Sequence, residues 1–323
     1  MIKGYFKLKL EYILKNNKII NIKSNYRIFS RYKYSFILLI PGVLFFIIFH
    51  YIPMYGVLIA FKDYSPFLGF FKSAWVGFKH FESFFLNPYF GRMLRNTLSI
   101  NIIGLLIAFP VPIILSLLLN EIRVQKFKKT VQMVTYMPNF ISDVIIVGLI
   151  YTFLSPGSGI INKLLTDVLG INAIPFMIEP KWFYTIYVGS GIWKETGFNS
   201  IIFLAAISSV NIALYEAVDI DGGGRMGKFR YVTFPCIVPT IMFMLIFRMA
   251  AMFNVDAAKI LIMYNPLTYE TADVFSTYVY RVGLQGANFG MGTAVSFMNA
   301  LVSLLLLVLA NWSSKKLSET SLW

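Results

Sequence analysis

The sequence predicts an all-α polytopic membrane protein with six transmembrane helices and both termini in the cytoplasm. Three observations support this prediction. First, the 323 residues are 57% hydrophobic and only 14% charged, whereas about a quarter of the residues of a typical soluble domain are charged. Second, several apolar stretches reach the roughly 20 residues that a helix needs to cross the hydrocarbon core. Third, Lys and Arg residues concentrate in alternate connections, as the positive-inside rule requires.

The spans are found as stretches with few or no charged residues. The first, between Lys33 and Lys62, and the second, from Asn96 to Asn120, contain no Asp, Glu, Lys or Arg. The other four are predicted at residues 130–154, 183–207, 236–255 and 291–312. The chain thereby divides into a basic cytoplasmic arm (1–33), a transmembrane domain (34–312) and a cytoplasmic tail (313–323).

The basic residues outside the spans set the predicted orientation. The arm carries nine Lys and Arg residues against one acid, Glu11, which places it in the cytoplasm. The connection 121–129 and the tail are also basic and fall on the same side. The aromatic segment 62–95 carries five Lys and Arg residues on the predicted outside, against the rule, and we expect an extracellular hairpin or an interfacial helix there.

Two interpretations of the arm stay open: a surface segment that binds anionic lipid, or an orientation signal. We favour the second, because the apolar face of the arm is short and irregular. The first apolar run starts near Phe36 and lacks a small-residue cleavage site, so no cleavable signal peptide is expected.

Composition excludes other classes of function. The net charge of +14 would suggest nucleic-acid binding in a soluble protein, but here the cations flank apolar spans and no soluble domain is left to hold a basic patch. A single cysteine, Cys236, excludes an intramolecular disulfide. With only two histidines beside it, no His/Cys metal cluster is expected.

The most informative segment is the predicted cytoplasmic connection 214–239, LYEAVDIDGGGRMGKFRYVTFPCIVP. A helical stretch ends at Asp221, three glycines break it, and a second short amphipathic piece follows over residues 225–232. Pro235 and Pro239 are predicted to end that piece and to start the next span. A short helix–turn–helix with apolar knobs and charged edges suits docking into a groove of another protein.

The same segment contains an incomplete phosphate-binding pattern. Gly222, Gly227 and Lys228 fit the first seven positions of G-x-x-x-x-G-K-[ST], but the eighth is Phe229, which has no hydroxyl for magnesium. No buried strand precedes the pattern. We therefore expect that this chain does not hydrolyse ATP.

The connection resembles the EAA loop of binding-protein-dependent ABC importer permeases, E-A-A-x-x-D-G-A-x-x-x-x-x-F-x-x-I-x-L-P. The matching residues are Glu216, Ala217, Asp221, Gly222, Phe229 and Pro235. The resemblance implies that this loop, with Arg225 at its charged edge, is a coupling helix that docks on an ATP-binding cassette subunit and passes nucleotide-driven motion to the spans.

The stretches GIWKETGFNSIIFLAAI and YNPLTYETADVFSTYVYRVGL resemble the LplB-like branch of the maltose-type oligosaccharide permeases. The resemblance covers roughly residues 34–312. It implies a bacterial cytoplasmic-membrane importer of oligosaccharides, with a second permease subunit, an ATPase pair that binds ATP and magnesium, and an extracytoplasmic solute-binding protein. No cofactor is expected on this chain. Asp143 and the segment FNVDAAKI depart from the branch and bear on the substrate.

Ionisable residues at membrane depth are costly and usually face a cavity, a partner or the transported substrate. Six lie in or beside the predicted spans: Asp143, Lys194, Glu195, Arg248, Asp256 and Lys259. Lys194 and Glu195 either pair structurally or line the substrate path. Arg248 either pairs with Asp143 or faces the sugar, while Asp256 and Lys259 are interpreted as interfacial.

Three further residues are candidates to hydrogen-bond or stack on a sugar ring: Trp193, Asn199 and Tyr280. For the two aromatic residues the alternative is an interfacial belt. The cations among the candidates favour an anionic sugar such as a uronic-acid oligosaccharide, because arginine binds carboxylates in a bidentate manner.

Two other classes of function compete with this hypothesis. An ion-gradient-driven secondary transporter would use Asp143, but the sequence shows neither inverted repeats nor broken helices. A membrane-embedded enzyme would need a clustered acid–base or metal set, which the sequence lacks.

Overall fold

The computed structural model describes residues 32–318, so the predicted basic arm up to Arg31 and the last five residues lie outside the described part. Helix α1 (Lys33–Phe61) is long and apolar enough to cross a membrane, as predicted. It contains Pro41, a π-helical turn at Ile47–Tyr51 and a final 3₁₀ stretch from Tyr55. The chain divides into two compact units, residues 1–58 and 59–323.

A short hairpin segment begins the second unit. Strand β1 (Lys62–Asp63) pairs in antiparallel register with β2 (Ala74–Trp75), and helix α2 (Gly69–Lys72) lies between them. Helix α3 (Lys79–Phe85) follows. Of the two structures expected for segment 62–95, the hairpin is therefore present, with short helices inside and after it.

The second span is helix α4 (Phe90–Glu121). It starts six residues before the predicted Asn96, so Arg92 and Arg95 belong to its first turns. The prediction started the span at the first residue after the last charged one, and this placed the boundary too late. A membrane helix can carry charged residues in the turns that leave the hydrocarbon core.

The third predicted span is not one straight helix. Helices α5 (Gln125–Phe140) and α6 (Asp143–Leu154) meet at an angle of 100°. Pro138 lies in the 3₁₀ turn that ends α5, and the Ser142 side chain caps α6 by accepting a hydrogen bond from the Ile145 amide. The prediction of an unbroken 130–154 helix was therefore wrong, and Asp143 is the first residue of a new helix.

Beyond α6, a short helix α7 covers residues 160–168. The fourth span lies in α8 (Pro180–Ser208), which bends by 67° into α9 (Ile212–Ile220). Helix α10 (Arg225–Ala250) forms the fifth span and runs through Pro235 and Pro239 without a break. The predicted separate piece 225–232 is thus the first part of the fifth span. A π-helical turn at Phe229–Thr233 leads into Pro235, and Pro239 lies inside the helix, so the two prolines do not end it.

Three short helices and the last span complete the described chain. Helix α11 is Ala257–Met263, α12 covers 266–272, α13 covers 275–285, and the sixth span lies in α14 (Phe289–Ser318). Among residues 32–318, four helices qualify as spans alone and two bent pairs qualify together, which gives up to six spans. The predicted all-α, polytopic membrane fold class is confirmed, with six spans if each bent pair crosses once.

The packing has two centres within the second unit. Helix α8 packs on α4, and α10 packs on α14. One buried cluster joins α4, α6, α8 and α11 around Ile100, Val147, Phe183 and Ile260. The other joins α3, α4, α13 and α14 around Phe84, Met93, Phe275 and Val295. Between α4, α8 and α10 the packing leaves open the cavities that hold the charged side chains.

Candidate functional site

Two adjoining cavities lie between α4, α8 and α10. One has a volume of about 260 Å³ and the other about 120 Å³, and both are lined by Ala108, Glu195 and Arg248. Asn199 lines the larger cavity, whereas Asp143, Asp256 and Lys259 line the smaller one. Five of the six predicted charged residues therefore face one connected region, although they come from four segments of the chain.

Asp143 pairs with Lys194 rather than with Arg248. The Lys194 ammonium donates to the Asp143 carboxylate at 2.8 Å, which joins the start of α6 to the middle of α8. Both side chains are largely buried. This contact removes two of the pairings that the sequence allowed, Asp143 with Arg248 and Lys194 with its neighbour Glu195.

Arg248 and Glu195 have no ionic partner within the described residues. Among residues 32–318, neither makes an ion pair within 4.0 Å or a side-chain hydrogen bond. The Arg248 guanidinium lies over the backbone of Gly104, where an added Cβ would come within 2.5 Å of Nη2. An unpaired guanidinium and an unpaired carboxylate therefore both face the cavities.

Lys259, interpreted from the sequence as interfacial, has a buried side chain. It is only 6% exposed, and its Nζ donates to the Tyr187 carbonyl at 3.1 Å and lies 4.6 Å above the Tyr187 ring. Burial lowers the pKa of this ammonium. Sequence position alone suggested the membrane boundary, but the packing of α11 against α8 brings the side chain inward. Asp256 caps α11 by accepting from the Ala258 amide at 2.9 Å.

The two candidate aromatic residues lie elsewhere. Neither Trp193, which is 51% exposed, nor Tyr280 lines either of the two cavities. Trp193 precedes Lys194 on α8 and therefore points to another side of that helix. Of the polar candidates for sugar contact, Asn199 is the one that reaches a cavity.

A buried charge cluster at the start of α4 escaped the sequence analysis. The Asp273 side chain is 0% exposed and accepts hydrogen bonds from Arg92 at 3.0 Å, from both terminal nitrogens of Arg281 at 3.0 and 3.1 Å, and from Thr277 at 2.9 Å. Asn96 donates to the backbone carbonyls of residues 270 and 273. The contacts fix the 266–285 segment to α4. Since Arg92 and Asp273 are 181 positions apart, no local spacing could link them.

The connection 214–239 folds as a helix–turn–helix, as predicted. Helix α9 ends at Ile220, Gly222 adopts a left-handed φ of 72°, and α10 begins at Arg225. The turn is closed by a 2.7 Å ion pair between Lys228 and Asp219. Gly223 packs so closely that a Cβ would lie 2.4 Å from Val218 Cγ1 and 2.9 Å from the Val218 carbonyl.

The outer face of this element is available to a partner. Glu216 and Asp221 are exposed, and their side chains make no ion pair or hydrogen bond within the described residues. Ile220 and Met226 are exposed apolar residues on the same element. Arg225 lies 3.8 Å from Glu121 at the end of α4, beside a cavity of about 490 Å³. The element thus combines a rigid glycine turn with free charges and apolar knobs.

Up to six candidate spans among residues 32–318, charged cavities between α4, α8 and α10, and a rigid helix–turn–helix before the fifth span define this protein as a multi-pass membrane permease. The model of the family described as "binding-protein-dependent transport system inner membrane component" matches residues 103–319, and the chain belongs to that family. It is therefore an inner-membrane subunit of an ABC importer, as the loop resemblance implied.

Its relatives include sugar permeases of similar length. The chain is 44% identical to protein LplB of Bacillus subtilis, over 91% of this chain and 92% of LplB. It is 41% identical to the polygalacturonan/rhamnogalacturonan transport system permease protein YteP of the same organism, over 90% of each chain. The fold also matches a chain in the crystal structure of a bacterial alginate ABC transporter in complex with an alginate pentasaccharide-bound periplasmic protein. The two chains are 42% identical and superpose with a TM-score of 0.84, and the match covers 92% of this chain and 99% of the other.

Proposed function

We propose that this chain is one permease subunit of an ATP-driven importer of acidic, uronate-containing oligosaccharides. The observation that carries the proposal is the Arg248 guanidinium, which has no ionic partner among residues 32–318 and lines both cavities. The buried Lys259 ammonium lines the smaller of the two. A charge at membrane depth is costly unless it is paired or used. A sugar carboxylate passing through the cavity would supply the missing partner and could accept two parallel hydrogen bonds from arginine.

The relatives support this choice of substrate class. YteP is named for polygalacturonan and rhamnogalacturonan transport, and the similar solved structure transports alginate. Both names denote acidic polysaccharides. In our proposal Glu195 and Asn199 accept or donate hydrogen bonds to sugar hydroxyls, while the Asp143–Lys194 pair holds α6 against α8.

The partners proposed for this chain are a second permease subunit, a pair of ATP-binding cassette subunits and an extracytoplasmic solute-binding protein. ATP and magnesium act on the cassette subunits, and both termini of this chain lie in the cytoplasm. The exposed Glu216 and Asp221, with Ala217, Gly222, Arg225, Phe229 and Pro235, form the docking element for the cassette. Because α10 continues unbroken from Arg225 into the membrane, motion of that element is carried directly into the fifth span.

The transport step follows from this arrangement. A loaded binding protein delivers the oligosaccharide, nucleotide closes the cassettes, and the docked helix–turn–helix tilts α10 so that the cavity opens to the other side. The substrate can influence this equilibrium only through a different affinity for the two states. We infer that the Arg248–carboxylate contact exists in one of them.

The test is uptake by the complete transporter in proteoliposomes, with ATP inside and binding protein outside. Each acidic oligosaccharide is compared with its carboxyl-reduced, neutral form. For Arg248→Ala we expect uptake of the acidic sugar to fall about tenfold or more, because one charge-assisted hydrogen-bonding partner of the carboxylate is lost. Uptake of the neutral sugar should change little. Equal losses for both sugars would contradict the substrate assignment, and uptake driven by an ion gradient without the cassettes would contradict the class of mechanism.

A further inference from the structure

The segment between the first two spans carries a surface of aromatic rings outside any span. Phe67 is 100% exposed and Phe71 87% exposed, and Trp75 and Phe78 are also mostly exposed. We define these four residues as the aromatic edge. They lie on the β1–β2 hairpin and the turn that follows it, so the spans themselves do not account for their exposure.

The inner side of the same segment is firmly attached. The Phe61 ring stacks on Trp75 with centroids 5.7 Å apart and meets Phe297 of α14 at 6.3 Å. His80 hydrogen-bonds the Lys62 carbonyl at 3.0 Å, and both groups lie so close to Gly290 that a Cβ there would clash. The hairpin is thus held on the protein through Phe61, whose ring also meets that of Phe78 at 5.4 Å. Phe67 and Phe71 project away from it, and Trp75 and Phe78 each keep most of their surface exposed.

Its position is fixed by the ends of two spans. Tyr64 contacts Phe289, the first residue of α14, with ring centroids 6.0 Å apart, and the segment leads within a few residues into Phe90, the first residue of α4. Because membrane helices end at the bilayer surface, the hairpin lies at the level of the lipid headgroups.

The composition of the edge fits lipid better than protein. Lys72 and Lys79 flank the aromatic rings, are exposed, and make no ion pair within the described residues. Aromatic rings next to lysine are typical of interfacial segments, in which the rings enter the headgroup region and the ammonium groups reach lipid phosphates. A solute-binding protein leaves after each delivery and would return four rings to water, whereas the bilayer is always present.

We propose that the aromatic edge is a membrane anchor that inserts into the bilayer surface and binds the phosphate groups of anionic lipids through Lys72 and Lys79. The anchor holds the hairpin, and through it the start of α14, at a fixed depth. It also accounts for two of the five cations of segment 62–95 that break the positive-inside rule, Lys72 and Lys79, since they would serve the interface and not the orientation. The other three donate hydrogen bonds within the protein, Lys62 to the Phe70 carbonyl, Arg92 to Asp273 and Arg95 to the Glu270 carbonyl. This inference does not depend on which sugar is carried.

The test measures the depth of a spin label at position 71 in the assembled transporter, reconstituted in phosphatidylethanolamine and phosphatidylglycerol bilayers. The native Cys236 is replaced by serine, and the label is attached to Phe71→Cys. The reference is Gln285→Cys, an exposed polar position at the end of α13.

We expect the label at position 71 to be relaxed more by oxygen, which concentrates in the bilayer, than by a water-soluble nickel complex, and the label at 285 to show the opposite preference. A label at 71 that follows the nickel complex as the reference does would overturn the proposal. Protection from both reagents would also overturn it, because it would show that a protein partner covers the edge.

Discussion

Lys194 donates a 2.8 Å hydrogen bond to Asp143 and thereby joins α8 to the first residue of α6, immediately after the break in the third span. The pair neutralises the one intramembrane acid that would have favoured an ion-gradient transporter. The structure does contain a broken helix, which the sequence analysis did not predict, but the acid that follows the break, Asp143, is paired with Lys194. The unpaired charges are instead Arg248 and Glu195, and these face the cavities.

The first prediction concerns this pair. Asp143→Asn alone or Lys194→Met alone leaves a buried charge uncompensated, and each should lower the thermal midpoint of the purified transporter. The double variant should recover part of the loss, with a coupling energy of about 1–3 kcal/mol. Thermal unfolding of the four proteins in detergent measures it, and strictly additive losses would show that the two side chains do not interact.

The second prediction tests the position of the Arg248 guanidinium over Gly104. Gly104→Ala puts a methyl group within 2.5 Å of Nη2, so the guanidinium must move and uptake of the acidic sugar should fall more than uptake of its neutral form. Gly148→Ala in α6 is the matched control, because nothing lies within 4 Å of its added Cβ. Comparable uptake by the two variants would mean that the position of Arg248 does not matter.

The third prediction concerns the buried Asp273. Asp273→Asn removes the charge that two guanidinium groups share and should destabilise the protein by about 3–5 kcal/mol, as expected when one partner of a buried ion cluster is lost. Glu270→Gln, an exposed neighbour, should change stability by less than about 0.5 kcal/mol. Chemical unfolding monitored by tryptophan fluorescence compares them, and equal stability of both variants would refute the structural role.

The fourth prediction separates two adjacent glycines in the helix–turn–helix. Gly223→Ala forces a methyl group against Val218 and should weaken both subunit assembly and sugar-stimulated ATPase activity. Gly224→Ala meets open space and should retain both. Copurification of the cassette subunits and ATPase assays provide the measurement. If Gly223→Ala assembles and pumps normally, the proposed role of this turn in coupling is wrong.

The fifth prediction follows from the environment of Lys259. Burial lowers the pKa of its ammonium from the ordinary value of 10.5, although nearby Asp143 and Glu195 offset part of this effect. The charge is present at low pH and disappears as pH rises through the lowered pKa, earlier than for an exposed lysine. Uptake of the acidic sugar should therefore decline in the alkaline range below pH 10.5.

Lys259→Arg keeps its charge throughout this range, so its decline should begin at a higher pH than that of the wild-type protein. Proteoliposome uptake as a function of external pH, with the neutral sugar as control, makes the comparison. Superimposable profiles for the two proteins would show that the charge on residue 259 does not affect transport.

Much of this protein could be predicted from local sequence. Apolar length alone located α1 and the core of α4 and α14, because crossing a bilayer requires a continuous run of apolar residues. The three glycines at 222–224 predicted the turn between α9 and α10, since a positive φ at that point is readily available only to glycine. Gly222 is also one of the six residues that carried the resemblance to the EAA loop.

Other features depend on residues far apart in the chain. Nothing near Lys259 indicates that it meets Tyr187, and nothing near Asp273 indicates that Arg92 reaches it. Pro138 and Ser142 indicate the break at 141–142 locally, as a helix-ending proline and a helix-capping serine. The prediction relied on the length of the apolar stretch instead and therefore missed the break.

The sequence by itself thus determined the class of protein, most of the span positions and the place of the helix–turn–helix, because each follows from hydrophobic length and backbone freedom within one segment. Only the tertiary structure decided which charges are neutralised and which are left for a substrate. Pairing is a property of distance in space, and the packing of α4, α6, α8 and α10 sets those distances.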